Sequence, residues 1–181
     1  MNTFTRVRAS THDDPIVRVV FSEIARELGF GLVPNVFHAM TPMPEVLDAH
    51  WCMVRATLLR GRIRRAVKEM IGLVVSIVNA TGYSRALCLQ SLTRSGVDLD
   101  TIASVACGRL YAPGLSASDT AILDYARVVA ERQGKLRPAD RARAEARGLS
   151  REEMLEAAAV VQLFESIDRF AETAGVPPDL W

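Results

Sequence analysis

The sequence predicts an all-α fold, and three observations carry that expectation. Apolar residues recur at helical spacing throughout, no stretch alternates apolar and polar residues as a half-buried strand does, and caps, prolines and glycines punctuate the chain between the periodic segments.

The elements follow in order. A first helix is expected over 14–28, with Asp13 or Asp14 as its N-cap and Gly29 near its stop. Gly31-Leu32-Val33-Pro34 reads as a connector and Asn35–Met40 as a short helix. Pro42 and Pro44 then interrupt the chain, since proline suits the first turn of a helix and not its interior. A long helix should run from Pro44 to Leu59, ended by Gly61. The central helix is expected over 64–79. Its Val67, Met70, Ile71, Val74, Val75 and Val78 form one apolar stripe, and Leu73 and Ile77 extend it, so the helix should be buried. Helices over 82–94 and 98–107 follow, then a loop containing Pro113 and Gly114. Ser116 or Ser118 should cap a helix reaching Gln133, with Ile122, Tyr125, Ala126 and Val129 on its inner face. Residues 138–147 form a short charged helix. Ser150 followed by Glu153 is a capping box, and the last helix should end near Ala174 before Gly175-Val176-Pro177. No long linker divides the chain. The expected organisation is a flexible arm over 1–12 and one all-α domain over 13–181.

Composition excludes several functions. With 49% apolar residues and a net charge of +1, the 181-residue chain reads as an ordinary globular protein able to bury a substantial core. Apolar runs such as Ile71–Val75 are too short to cross a bilayer, and MNTFTRVRAS lacks the apolar core of a secretory signal, so no membrane role is expected. Cys52, Cys88 and Cys107 are odd in number and widely spaced, which suits a cytoplasmic protein with free, mostly buried thiols. Arg60, Arg62, Arg64, Arg65 and Lys68 form one basic cluster, and Arg137, Arg141, Arg143 and Arg147 form another. No nucleic-acid motif accompanies them, and solvated helix faces explain them without a nucleic-acid partner. His12, His38 and His50 lack metal-ligand spacing, and no phosphate loop, nucleophile elbow or dinucleotide fingerprint occurs, so neither a metal nor a cofactor is expected.

The most informative stretch is VKEMIGLVVSIVNATGYSRALC, residues 67–88. One acid, Glu69, sits in a very apolar helix, which breaks at Asn79-Ala80-Thr81-Gly82; a second helix opens with Tyr83 and Ser84 and reaches Cys88. This layout resembles the alkylhydroperoxidase D / carboxymuconolactone decarboxylase family. Thiol peroxidases of that family carry a glutamate, a long apolar run ending in Asn-Gly, then C-x-Y-C-x-x-x-H. Glu69, Asn79 and Tyr83 fall in register with that pattern, whereas Thr81 and Ser84 take the two cysteine positions and Cys88 takes the histidine position. The likeness extends outward. Leu32–Phe37 with Pro44 and Trp51, and a last helix with Phe164, Ile167, Arg169 and Phe170, resemble a peroxidase-related subgroup; Glu165 and Asp168 stand where that subgroup often has asparagines. The resemblance implies a helical bundle that associates as a homo-oligomer, a dimer, trimer or hexamer.

A thiolate must attack the peroxide and a second cysteine must resolve the product. Threonine and serine hydroxyls do neither, so a two-cysteine peroxidase cycle is chemically closed here. In register with the family site, Glu69 is a candidate acid or base, since a carboxylate on a buried helix tends to have a raised pKa unless it is paired. Its structural readings are an ion pair with Arg65, one turn earlier, or a bond to a backbone group at the helix break. Thr81, Ser84, Cys88 and Ser91 lie on one stripe that would face Glu69 in an antiparallel hairpin. Thr81, Tyr83 and Ser84 are therefore candidate ligand-binding residues, and Cys88 a candidate single reactive thiol. Their structural readings are an N-cap for Thr81, helix packing for Ser84 and Ser91, aromatic packing for Tyr83, and a small buried hydrophobe for Cys88. Three functions stay open: proton-transfer chemistry of lyase, decarboxylase or isomerase type on a small organic substrate, an oligomeric ligand-binding pseudoenzyme, and a one-cysteine peroxidase.

Overall fold

The computed structural model describes residues 14–29 and 31–179. The arm expected over 1–12 lies outside the described residues. Among the described residues the chain forms helices and no strand. They are α1 (Pro15–Glu27), α2 (Asn35–Met40), α3 (Pro44–Leu58), α4 (Arg65–Val78), α5 (Tyr83–Arg94), α6 (Leu99–Ala106), α7 (Ala117–Glu131), α8 (Pro138–Ala146) and α9 (Arg151–Ala174).

Local chemistry explains the boundaries. Asp14 caps α1 by accepting from the Ile16 and Val17 N–H groups. Pro44 opens α3 and Pro138 opens α8. Ser116 with Asp119 and Ser150 with Glu153 form complete capping boxes at the starts of α7 and α9. Gly175 ends α9 in the left-handed region, at φ 64°. The end of α4 departs from the rule that glycine fills such a position. Thr81 N donates to Ser76 O at 2.9 Å and Ala80 N to Ile77 O at 3.2 Å, a Schellman closure. The left-handed residue in it is Ala80, at φ 55°, which an alanine side chain tolerates only at a cost of about 1–2 kcal/mol.

α4 is the axis of the molecule. Val67 to Ser76 are all buried, and α5, α6, α7 and α9 pack around the helix. α1 lies on α3, and α3 also meets α9. This all-round burial arises because the apolar stripe read from the sequence is widened by Leu73 and Gly72. Gly72 lets two neighbours approach closely: a Cβ there would lie 2.5 Å from Cys88 Sγ on α5 and 2.6 Å from Phe164 Cζ on α9.

The first basic cluster is split by the fold: Arg60, Arg62 and Arg64 stay exposed, Arg65 is half-buried and Lys68 is buried. Lys68 is 1% exposed. Its ammonium pairs with Glu156 Oε1 at 2.6 Å and donates to Thr57 O at 2.8 Å and to Arg60 O. Glu156 also accepts from the Arg62 and Ile63 N–H groups, fastening the α3–α4 turn to α9. Arg64 pairs with Asp119, and Arg65 with Glu69. The cysteine expectation needs correction: Cys52 and Cys107 are exposed, and only Cys88 is buried. Both exposed thiols sit where helical periodicity turns outward or a helix ends, so their apolar character did not decide their burial.

The Gly72 contacts give a direct test. Gly72→Ala overpacks the α4–α5–α9 junction and should destabilise the protein by about 1–3 kcal/mol, measured as the shift in urea unfolding midpoint at unchanged slope.

Candidate functional site

α4 carries Arg65, Glu69 and Gly72 along one face, separated by four and three positions. Glu69 is 2% exposed. Arg65 donates through Nε to Glu69 Oε1 at 2.9 Å and through Nη2 to Leu28 O at 2.8 Å, so the pair is anchored to the end of α1. The second carboxylate oxygen, Glu69 Oε2, is buried and has no hydrogen-bond partner among the described residues. Ser91 Oγ on α5 is in the same condition. Both residues line one cavity of about 40 Å³ whose other walls include Phe37, Cys88, Leu163 and Phe164. A space of that size holds a few water molecules, at roughly 10–15 Å³ each, or the end of a small ligand.

Cys88 lies on this wall, fully buried, and its thiol is pushed up well above the ordinary cysteine value. Burial is the first cause, and the negative charges of Glu69 and Asp168 add to it. These surroundings oppose the thiolate that a peroxidatic cysteine requires.

Thr81, Ser84 and Tyr83 do not line the cavity. Thr81 donates through its hydroxyl to Asp168 Oδ2 at 2.7 Å, and Ser84 donates its backbone N–H to Asp168 Oδ1 at 3.2 Å. The Ser84 hydroxyl lies close enough to the same carboxyl to stabilise its charge, without hydrogen-bond geometry. Thr81 is therefore not the N-cap of α5. Gly82 occupies that position without a side-chain cap, and Asp168 reaches across from α9 to hold the helix start. Tyr83 accepts from the Val36 N–H at 2.9 Å and donates to Asp179 Oδ2 at 2.7 Å. Asp179 also accepts from the Asn35 N–H at 2.8 Å, and its carbonyl takes a bond from Gln90 Nε2 at 2.7 Å. Tyr83 thus ties the chain's last described segment to α2 and α5.

The structure consequently brings Glu69 and Cys88 together, with Ser91 rather than Ser84 as the nearby hydroxyl on the cavity wall. It turns Thr81 and Ser84 toward Asp168, and the Tyr83 hydroxyl toward Asp179. Asp168 is the residue that sequence reasoning undervalued. Its signal was a lone acid between Phe164, Ile167 and Ala171, all buried on one face of α9. Among the described residues no three His, Cys, Asp or Glu side chains gather as a metal site would require.

Burial holds the Asp168 carboxyl above its ordinary value, against the hydrogen bonds from Ser84 and Thr81, and the nearby Glu172 charge adds to the rise. The folded protein then keeps a proton that the unfolded chain releases near pH 3.9. Asp168's contribution to stability is complete below that pH and declines as pH rises toward the folded-state pKa. Asp168→Asn should therefore gain stability relative to the parent as pH is raised from about 4. Urea unfolding of both proteins across that range measures the difference, and movement in the opposite direction would refute a raised pKa.

No protein-family model and no curated protein matches the chain. Solved structures do. The chain is similar to the alkylhydroperoxidase AhpD core structure of a peroxidase-related protein from Ralstonia eutropha, with 25% identity, TM-score 0.79, and 90% of this chain covering 85% of that one. A peroxidase-related protein from a Silicibacter species superimposes with TM-score 0.80 at 24% identity, covering 92% and 87% of the two chains. The debrominase Bmp8, solved in complex with 2,3,4-tribromopyrrole, superimposes with TM-score 0.78 at 18% identity, covering 92% and 87%. The fold is thus that of the AhpD core, in agreement with the resemblance read from the sequence.

Proposed function

We propose that the chain is an AhpD-fold protein without the two-cysteine redox centre, in which Glu69 serves as proton acceptor and donor toward a small organic molecule. The observation that carries this reading is the half-paired state of Glu69. An unsatisfied buried acceptor costs about 1–3 kcal/mol, so the second oxygen favours a polar partner in the cavity. Here Arg65 neutralises one oxygen, while the other lies buried and unpartnered in a residue that lines the cavity, as does the unpartnered Ser91 hydroxyl.

The geometry constrains the substrate class. The cavity walls are apolar beyond Arg65, Glu69, Ser91 and the Cys88 thiol. A volume of about 40 Å³ admits only the reacting end of a molecule. Such a substrate presents a C–H, O–H or N–H proton to Glu69 Oε2 and an acceptor atom to the Ser91 hydroxyl. Arg65, one-third exposed while bonded to the buried carboxylate, also belongs to the cavity lining. Proton transfer of this kind belongs to decarboxylation, isomerisation and lyase chemistry, and general acid–base assistance contributes about 10²–10⁴-fold. Thr81, Ser84 and Tyr83 then act on the site indirectly, by fixing α5.

A homo-oligomer belongs to the same proposal. Ile16 and Val19 on α1, with Met43 and Val46 at the start of α3, present exposed apolar side chains from two helices that pack together.

Two experiments bear on this reading. Acetoacetate and an unsaturated γ-lactone, followed by proton NMR in deuterated water, should show turnover or solvent-deuterium incorporation, and Glu69→Gln should lower the rate by about 10²-fold or more while the protein stays folded. Equal rates in parent and variant, or no reaction with either probe, would favour a ligand-binding pseudoenzyme. Incubation with cumene hydroperoxide should leave Cys88 unmodified by intact-mass and peptide analysis, and peroxide consumption should match that of Cys88→Ala. Peroxide turnover dependent on Cys88 would replace this proposal with a one-cysteine mechanism.

A further inference from the structure

A second polar centre lies outside the Glu69 cavity, where α7 and α8 meet. Asp124 on α7 is buried to 7% exposure and receives three guanidinium groups. Arg127 Nη2 reaches Asp124 Oδ1 at 2.6 Å, while Arg147 Nη1 and Arg143 Nη2 reach Oδ2 at 2.8 Å and 3.5 Å. One carboxylate cannot use what three guanidinium groups offer. Each guanidinium carries five N–H donors, and the carboxylate has about four acceptor sites. Arg127 Nε is buried and has no acceptor among the described residues. Arg143, with 68% of its side chain exposed, makes only the longest of the three contacts.

The surplus faces open clefts. Arg127 and Arg143 border a space of about 380 Å³ together with Arg109 and Tyr111, and Arg147 with Tyr111 lines a neighbouring one of about 700 Å³. Glu131 and Asp140 nearby are engaged with Arg127 and Arg132, at 3.9 Å and 3.0 Å. Tyr111 is 78% exposed and presents an aromatic ring at this cleft. Positive charge concentrates here in a chain whose net charge is only +1. Asp124 holds the Arg127 and Arg147 guanidinium groups closely, so little of their side-chain freedom remains to be lost when a ligand arrives.

We propose that the cleft lined by Arg109, Tyr111, Arg127 and Arg143, with Arg147 bonded to the same Asp124 from the neighbouring space, binds a phosphate group, either as inorganic phosphate or as the monoester of a molecule whose flat ring lies on Tyr111. Guanidinium forks match phosphate oxygens bidentately, and an exposed aromatic beside them offers a stacking face. The site does not depend on the proton-transfer reading of Glu69.

Backbone amide NMR titrations of the full chain with inorganic phosphate and with adenosine 5′-monophosphate test the proposal, with adenosine as the uncharged control. Saturable shifts confined to 108–115, α7 and α8, with a dissociation constant at or below about 1 mM, are expected. Equal affinity for the two anions identifies free phosphate, and tighter binding of the monophosphate identifies an ester that uses Tyr111. Arg143→Ala, at an exposed position, should fold normally and weaken binding about tenfold, with Arg143→Lys between it and the parent. No saturable shift with either anion, equal shifts with adenosine, or unchanged affinity in Arg143→Ala would each overturn the site.

Discussion

An acid inside the central helix is the constraint around which this structure is arranged. Isolated, an ionised carboxylate at the position of Glu69 would carry a desolvation cost far beyond what a single domain tolerates. Arg65 offsets that cost from the same helix, and its partial exposure keeps its own desolvation small, since only 3% of the Glu69 side chain but 34% of the Arg65 side chain meets solvent. The pairing reaches one oxygen only. The other oxygen and the Ser91 hydroxyl leave a polar spot in an otherwise apolar junction of α4, α5 and α9. Close packing would normally remove such a spot, because interiors rarely keep unfilled space beside an unsatisfied acceptor. Its presence is the reason for reading a site there rather than only a buried salt bridge.

Asp168 solves a neighbouring problem by different means. In the family frame that this chain resembles, the positions of Thr81 and Ser84 carry cysteines. Here they carry groups that a carboxylate can hold, and Asp168 reaches from α9 to accept from the Thr81 hydroxyl and the Ser84 N–H. The start of α5 is therefore fixed by tertiary hydrogen bonds to an acid, in addition to its own backbone. A negative group at a helix start is favourable on two counts, since it meets free N–H donors and the positive end of the helix dipole. The same burial that permits these bonds raises the acid's pKa, so the anchor is sensitive to pH where a disulfide would be sensitive to reductant.

Helix identity and order were legible because the chain announces its boundaries locally. Asp14, Pro44, Ser116, Pro138, Ser150 and Gly175 act through their own backbone neighbours, and the observed helices begin and end within about two residues of the expected ones. The burial of α4 was legible from its apolar stripe, and the Arg65–Glu69 pair from its spacing. What the sequence did not reveal acts between distant segments. Thr81 sits where a cap belongs, yet an acid 87 positions away decides its hydrogen bond. Tyr83 was open between pocket and packing until Asp179, 96 positions on, claimed its hydroxyl. Lys68 looked like part of a surface cluster, and only the meeting of α4 with Glu156 on α9 makes it a buried cation. Cys52 and Cys107 look like core residues by type and lie outside by geometry. Local chemistry is written in neighbours; tertiary polar partners are chosen by packing.

The electrostatics around Cys88 decide what chemistry the retained frame can support. A thiol becomes a nucleophile when positive charge or a proton acceptor stabilises its anion. Cys88 has the reverse surroundings: complete burial and two acids, Glu69 and Asp168, each raising its pKa. The cation paired with Glu69, Arg65, already bonds that carboxylate and the Leu28 carbonyl, and Lys68, next in sequence, is committed to Glu156. Ionising Cys88 would place another negative charge in a junction that already holds two carboxyl groups, so its proton stays on sulfur and the thiol acts as a small apolar wall. Glu69 Oε2 and the Ser91 hydroxyl are the buried, unpartnered polar atoms of this cavity's lining among the described residues, which is why the proposed proton transfer is placed on Glu69. In the proposed reading the chain therefore differs from the family pattern it resembles by more than a missing redox couple: a carboxylate, not a thiol, is the reactive group of the pocket.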